Sequence, residues 1–243
     1  MNRSLRESVC AVVTSGRVFA GLVGVTLALS SSLVHAATFF GTSSDGHAVS
    51  ATADFSAVGD TLTVKLTNTT TTTLDAGELF TGLDFSVSGL TPTMTSDTGI
   101  LRTINADGTF SDTGAAEDLS WSLVDLGGGM WQLNFNPDAK HAIVGPPSGG
   151  DYAGANPSVR GNPGHNPFAA EMATFVLDVP GLSMAPLPSV LVKTFRFGTN
   201  LDPGDGGPGG GIEPGGGPEA PEPASIALLL LAAGMIAVRR RQA

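Results

Sequence analysis

The sequence predicts a mainly β protein: one antiparallel domain of sandwich or jelly-roll type, flanked by an apolar helix on each side. Three observations point there. Short segments alternate apolar and polar residues with the two-residue period of a strand that buries one face. Thr, Val, Phe, Gly and Asp are abundant, and glycine, proline and aspartate separate the alternating segments as turn formers. No long segment carries the period of an amphipathic helix, and no strand–helix alternation suggests a parallel sheet.

Val49, Ala51, Ala53 and Phe55 alternate with polar neighbours, Gly59-Asp60 turns, and Leu62, Val64 and Leu66 alternate back, which predicts a hairpin. Leu83 to Val87 reads as a third strand. Leu119, Trp121 and Leu123, a turn at Gly127-Gly128-Gly129, then Trp131, Leu133 and Phe135 predict a second hairpin. Its two tryptophans would sit on paired strands and bury a large area on one face. Later strands are expected at Ala173–Val179 and Val190–Phe197. The segment from Gly145 to Pro167 is too rich in Gly, Pro and Asn for a regular element. It reads as a solvated excursion between strands or as a functional loop.

Both ends carry processing signals. Arg3, Arg6 and Arg17 precede an apolar run from Val18 to Leu29, followed by small residues up to Ala36. That is the pattern of a secretory signal peptide over residues 1–36, with cleavage expected between Ala36 and Ala37. Residues 37–201 then form the β domain, long enough to bury a core of its own. Residues 202–220 are a Gly/Pro-rich linker, pliable where glycine dominates and stiffer at each proline. Residues 221–243 hold Pro221-Glu222-Pro223, an uncharged apolar run from Ala224 to Val238, and Arg239-Arg240-Arg241. As a transmembrane helix that run spans about 22 Å, short of the hydrocarbon core of about 30 Å. Bilayer thinning and snorkelling arginines accommodate the shortfall, and the positive-inside rule places those arginines in the cytoplasm.

Pro221-Glu222-Pro223-Ala224-Ser225, the single apolar helix and the arginine cluster resemble the PEP-CTERM sorting signal of exosortase-dependent proteins. The resemblance implies export through a Gram-negative envelope and recognition of the tail by a membrane-embedded, cysteine-protease-like exosortase. It also implies a cell surface or extracellular matrix rich in exopolysaccharide. Glycine-led tails read by rhomboid-type proteases are related, but here Gly215 to Gly217 are separated from the apolar run by the Pro-Glu-Pro element. Residues 37–124, through Ser50–Phe55, Asp60–Thr69 and Leu79–Phe85, also resemble the N-terminal domain of certain small exosortase-dependent surface proteins. That group implies no activity.

Charge and residue inventory exclude several function classes. Of 12 basic and 22 acidic residues, three Arg and Glu7 belong to the signal and three Arg to the tail. Residues 37–223 keep six basic and 21 acidic residues, a net charge of about −15, so nucleic acid and anionic lipid are poor partners. Cys10 lies in the signal segment, which leaves the exported chain without a disulfide. No G-x-S-x-G elbow occurs, and His47, His141 and His165 show no zinc-ligand spacing and read as surface-loop residues. Glu117-Asp118 is the one adjacent acidic pair, and strand geometry would point the two to opposite faces.

Asn105, Asp107 and Gly108 echo the start of a calcium loop, with Asp112, Glu117 or Asp118 as a further Ca²⁺ ligand only if the chain folds back. The bidentate acid such a loop requires is replaced by Gly114, and an Asp-Gly β-turn explains the same residues. Asn68-Thr69-Thr70 fits a glycosylation sequon, and a threonine-rich edge strand explains the same residues without modification. The functional expectation is a non-enzymatic surface or matrix protein, structural or adhesive in biofilm, with exosortase and exopolysaccharide as partners. The alternatives are a carbohydrate-binding module using Trp121, Trp131 and Tyr152, or a hydrolase using Glu117 or Asp118.

Overall fold

A computed structural model describes residues 33–43, 46–87, 89–136, 140–184 and 190–199. Most of the expected signal segment, the expected linker and the whole expected sorting tail lie outside the described residues. Within them the protein is mainly β, with no α-helix and two short 3-10 turns at Ala76–Glu78 and Leu182–Met184. No helix among the described residues is long and apolar enough to cross a membrane. The expected span 224–238 is not among them.

The first expected hairpin is present as β2 (Ala48–Val58) and β3 (Thr61–Asn68). Ala51, Ala53 and Phe55 on β2 and Leu62, Val64 and Leu66 on β3 are buried, as their alternation requires. Val58 pairs with Thr61, so Gly59-Asp60 is a two-residue turn, and Gly59 takes the positive φ of 61° that a type II′ turn demands of its first central residue. Outside this hairpin lies β1 (Leu33–Thr42), which passes through the expected cleavage point. Ala36 pairs with Asp54 and Ala37 with Ala53, so the strand begins four residues before the expected mature start.

The remaining strands are β4 (Phe80–Val87), β5 (Thr93–Ile104), β6 (Phe110–Asp118), β7 (Ser122–Gly127) and β8 (Met130–Asn134). They are followed by β9 (Ile143–Val144), β10 (Phe168–Ala170), β11 (Met172–Asp178) and β12 (Val190–Phe197). One wing of the sheet runs β1-β2-β3-β11-β5, with β6 along β5. The other contains β12, β4, β8 and β7, and the short strands β10 and β9 join the two. Every strand pairing is antiparallel except that of β9 with β10.

The apolar faces of the two wings meet through aromatic rings. Phe39 on β1 stacks on Phe195 of β12 at 5.4 Å and lies 5.8 Å from Phe197, and Phe55 on β2 lies 6.0 Å from Phe85 of β4. These contacts join residues far apart in the chain, and each buried ring removes a large apolar area from water.

The tryptophans depart from expectation. Asp118 accepts hydrogen bonds from the backbone and hydroxyl of Ser120, and Ser120 takes a φ of 56°, which ends β6 and breaks the expected strand at Leu119–Leu123. Trp121 therefore precedes β7 instead of lying within it. Its ring is buried 5.1 Å from Phe175, its backbone N–H donates to Asp97 and its indole N–H to the His141 carbonyl. Trp131 lies on β8 opposite Asp125, not opposite Trp121, and is only partly buried.

Residues 145–167 are not a solvated excursion. Tyr152, Ala155 and Val159 are buried, and the segment is pinned along its length. Tyr152 donates from its backbone N–H to the Gly108 carbonyl, Asn156 to Leu74, and Gly161 to Ile104, while Asn166 accepts from the Ile104 N–H. Gly145 enters this region where a Cβ would meet the Thr70 carbonyl oxygen at 2.6 Å, so only glycine fits.

Two buried arginine–carboxylate networks brace the sheet. Arg196 on β12 and Gln132 on β8 both donate to Asp84 on the intervening strand β4. Arg102 on β5 donates through Nε and Nη2 to Asp112, and through Nη1 to the Tyr152 hydroxyl and Glu171, with its guanidinium 4.2 Å from the centre of the Phe110 ring. Burial works against the Arg102 charge, but the bonds to Asp112, Tyr152 and Glu171 outweigh it and raise its pKa. Its carboxylate partners are 34% and 42% exposed, so solvent screens part of each pair. Arg102→Ala should therefore cost about 2–3 kcal/mol, below the full penalty for breaking a buried pair, read as a lower urea midpoint.

Burial pushes the Asp97 carboxyl up, against the lowering effect of the Trp121 N–H, with Asp118 adding to the rise and His141 opposing it. A carboxyl that holds its proton more tightly when folded contributes stability fully below its unfolded value of about 3.9 and loses it as pH rises through the folded value. Asp97→Asn keeps an acceptor for Trp121 and does not titrate. The variant should gain stability relative to the parent between pH 4 and 7 in parallel denaturant titrations, and a pH-independent difference would refute the assignment.

Candidate functional site

The connection from β3 to β4 carries Asp75-Ala76-Gly77-Glu78 as a single 3-10 turn. Asp75 caps it, with Oδ1 accepting from the Gly77 N–H at 2.7 Å. In a three-residue turn, side chains three apart fall on one side, which brings Asp75 and Glu78 together. Glu78 is completely buried, and its Oε2 accepts a short hydrogen bond from the Leu74 N–H.

The turn is held from three directions. Asn68, at the end of β3, donates from its amide nitrogen to the Glu78 carbonyl at 3.0 Å and to the Ile143 carbonyl at 2.9 Å, and accepts from the Thr70 N–H. Ser158 accepts from the Ala76 N–H, and the Asn156 N–H donates to the Leu74 carbonyl. The loop 145–167 thus acts as a brace for the turn.

Against this turn lies His47, in the connection between β1 and β2. Its Nδ1 is 2.6 Å from Glu78 Oε1 and 3.1 Å from Asp75 Oδ2. Glu78 Oε1 and His47 Nδ1 are nevertheless buried without a hydrogen-bond partner, because their close approach lacks the alignment of a hydrogen bond. Burial raises the Glu78 carboxyl above its ordinary value, the Leu74 N–H opposes that shift, Asp75 adds to it and His47 opposes it. One nitrogen and two carboxylate oxygens, all within 4.8 Å of one another, are a donor set able to hold a metal ion.

The residues singled out from the sequence are placed elsewhere. Asn105 and Gly108 close a β-turn between β5 and β6, with the Gly108 N–H donating to the Asn105 carbonyl. Asp107 accepts from the hydroxyl and the N–H of Thr109, which lower its pKa. Both oxygens of Asp112 are taken by Arg102. Asp112 is thus held by Arg102 through both oxygens and Asp107 by Thr109 through Oδ1, and the turn reading accounts for the segment.

Asn68 is also corrected as a glycosylation site. It is 1% exposed on an interior strand, not an edge, and the nitrogen a glycan would occupy makes two hydrogen bonds. Trp121 and Tyr152 are buried, which removes two of the three planar side chains needed for a carbohydrate-stacking platform. Glu117 and Asp118 are exposed neighbours on β6, a strand paired only with β5, and Asp118 is engaged by Ser120.

His47 was expected to be a surface-loop residue and is instead half-exposed over a buried acid. The spacing of Asp75 and Glu78 was the available signal, as Asp-x-x-Glu resembles a helix start. Nothing local linked it to His47. No family model matches this chain, and no curated protein or solved structure does either.

Asn68→Ala leaves a carbonyl of the turn, a carbonyl of β9 and the Thr70 N–H without their partner. The variant should lose about 2–3 kcal/mol in denaturant unfolding, and the Asn68 peptide of the parent protein should carry no glycan by mass spectrometry.

Proposed function

We propose that this chain is an exported, non-catalytic surface or matrix protein whose β-sandwich domain is delivered by an exosortase through residues 221–243. The observation that carries the proposal is the combination of Pro221-Glu222-Pro223, the uncharged run 224–238 and Arg239-Arg240-Arg241. The signal-peptide pattern over residues 1–36 supports export by the same route. Two facing wings of antiparallel strands, joined by rings such as Phe39 on Phe195, support the sandwich form. A cysteine-free body whose pairing is almost wholly antiparallel and whose acids outnumber its bases suits a structural or adhesive role among hydrated exopolysaccharide.

The reading orders the chain as a sequence of tasks. Residues 1–36 open the export route, residues 37–201 fold outside the cytoplasm, and the linker 202–220 separates that body from the membrane. The apolar run 224–238 then holds the chain where a membrane-embedded sorting enzyme reaches the Pro-Glu-Pro element. In an exosortase-bearing host, protease shaving of intact cells should remove the β body of the full chain. The chain lacking 221–243 should instead be found in periplasm or medium. Unchanged surface display of the truncated chain would defeat the proposal.

A further inference from the structure

We propose that His47 Nδ1, Asp75 Oδ2 and Glu78 Oε1 form a zinc site that clips the β1–β2 connection onto the turn before β4. The geometry is that of a prepared site. Each carboxylate has one oxygen fixed by a backbone N–H, Asp75 Oδ1 by Gly77 and Glu78 Oε2 by Leu74, and turns its other oxygen toward His47. Ligands oriented by such outer bonds are the usual support of a protein metal site.

The independent pointer to a cation is Glu78 itself. It is fully buried, and its inward oxygen has no hydrogen-bond partner although a histidine nitrogen, also unpartnered, lies beside it. A buried polar atom left in that condition is costly, and a shared cation satisfies both atoms at once. A proton shared between them would instead require an aligned hydrogen bond.

The donor set selects the ion. Ca²⁺ requires six to eight oxygens and Mg²⁺ an octahedron with several waters, whereas an imidazole nitrogen with two single carboxylate oxygens suits tetrahedral Zn²⁺. With bonds of about 2.0–2.1 Å, tetrahedral ligands stand about 3.3 Å apart. The 3.1 Å between His47 and Asp75 is close to that spacing. The 2.6 Å to Glu78 opens to it by an outward movement of the His47 ring, whose side chain is 38% exposed. The proposal stands on these three residues and is independent of the sorting tail.

The test uses the purified full chain in detergent, stripped with chelator and titrated with Zn²⁺, Mn²⁺ or Ca²⁺ by calorimetry and by competition with a chromogenic chelator. One zinc per chain is expected, in preference to calcium, together with a rise in Tm on zinc addition. His47→Ala and Glu78→Gln should each weaken zinc at least about tenfold. Glu78→Gln retains an acceptor for Leu74, and the metal-free urea midpoint of each variant, read beside its zinc affinity, separates loss of the site from loss of the fold. Co²⁺ substitution should give tetrahedral absorption bands in the parent that His47→Ala abolishes. Absence of stoichiometric zinc uptake, or uptake that His47→Ala leaves unchanged, would overturn the proposal and show a histidine–carboxylate pair alone.

Discussion

The carboxamide of Asn68 is the constraint on which the functional end of this molecule depends. It stands at the last position of β3, where the chain leaves the sheet and polar backbone groups would otherwise be buried without partners. By donating to the carbonyls of Glu78 and Ile143 and accepting from Thr70, it joins the β3–β4 connection to β9. A buried amide with both donors and its acceptor satisfied leaves little freedom to the segments it holds. The position of Glu78, and with it the approach of His47, follows from that bond set.

The loop 145–167 completes the same assembly. Its glycines and prolines exclude a helix or long strand, yet the backbone must still find partners once Tyr152 and Val159 are buried. Neighbouring carbonyls and the loop's own Asn side chains supply them: the Tyr152 N–H donates to Gly108 and the Gly161 N–H to Ile104, while Asn156 and Asn162 accept from the N–H groups of Ser158 and Gly164. Arg102 ties the loop to the sheet through the Tyr152 hydroxyl, which in turn donates to the Gly145 carbonyl. The irregular segment is thus part of the core's covering, and it fixes the turn that carries Asp75 and Glu78.

Much of the strand pattern was legible because alternation is a local signal. Phe55 and Leu62 read as buried from their neighbours alone, and Gly59-Asp60 read as a turn from the chemistry of glycine. Trp121 was misplaced for an equally local reason. The Asp118–Ser120 turn that interrupts its strand competes with alternation over three residues, and the apolar pattern at Leu119, Trp121 and Leu123 is the stronger visible signal. Asn68 read as a sequon or as part of a threonine-rich edge strand because β3 gave no sign that it would be flanked by β2 and β11.

The sequence by itself determined the strand alternation, the hairpin turn at Gly59 and the acidity of the chain, since each depends on residue identity or on residues adjacent in the chain. Only the tertiary structure decided which polar residues meet. His47 reaches Asp75 and Glu78 across separate connections, and Arg102 gathers Asp112, Tyr152 and Glu171 from three parts of the chain. Such meetings are set by strand pairing and burial over long separations, where the identity of a side chain says nothing about its partner until the sheet has closed.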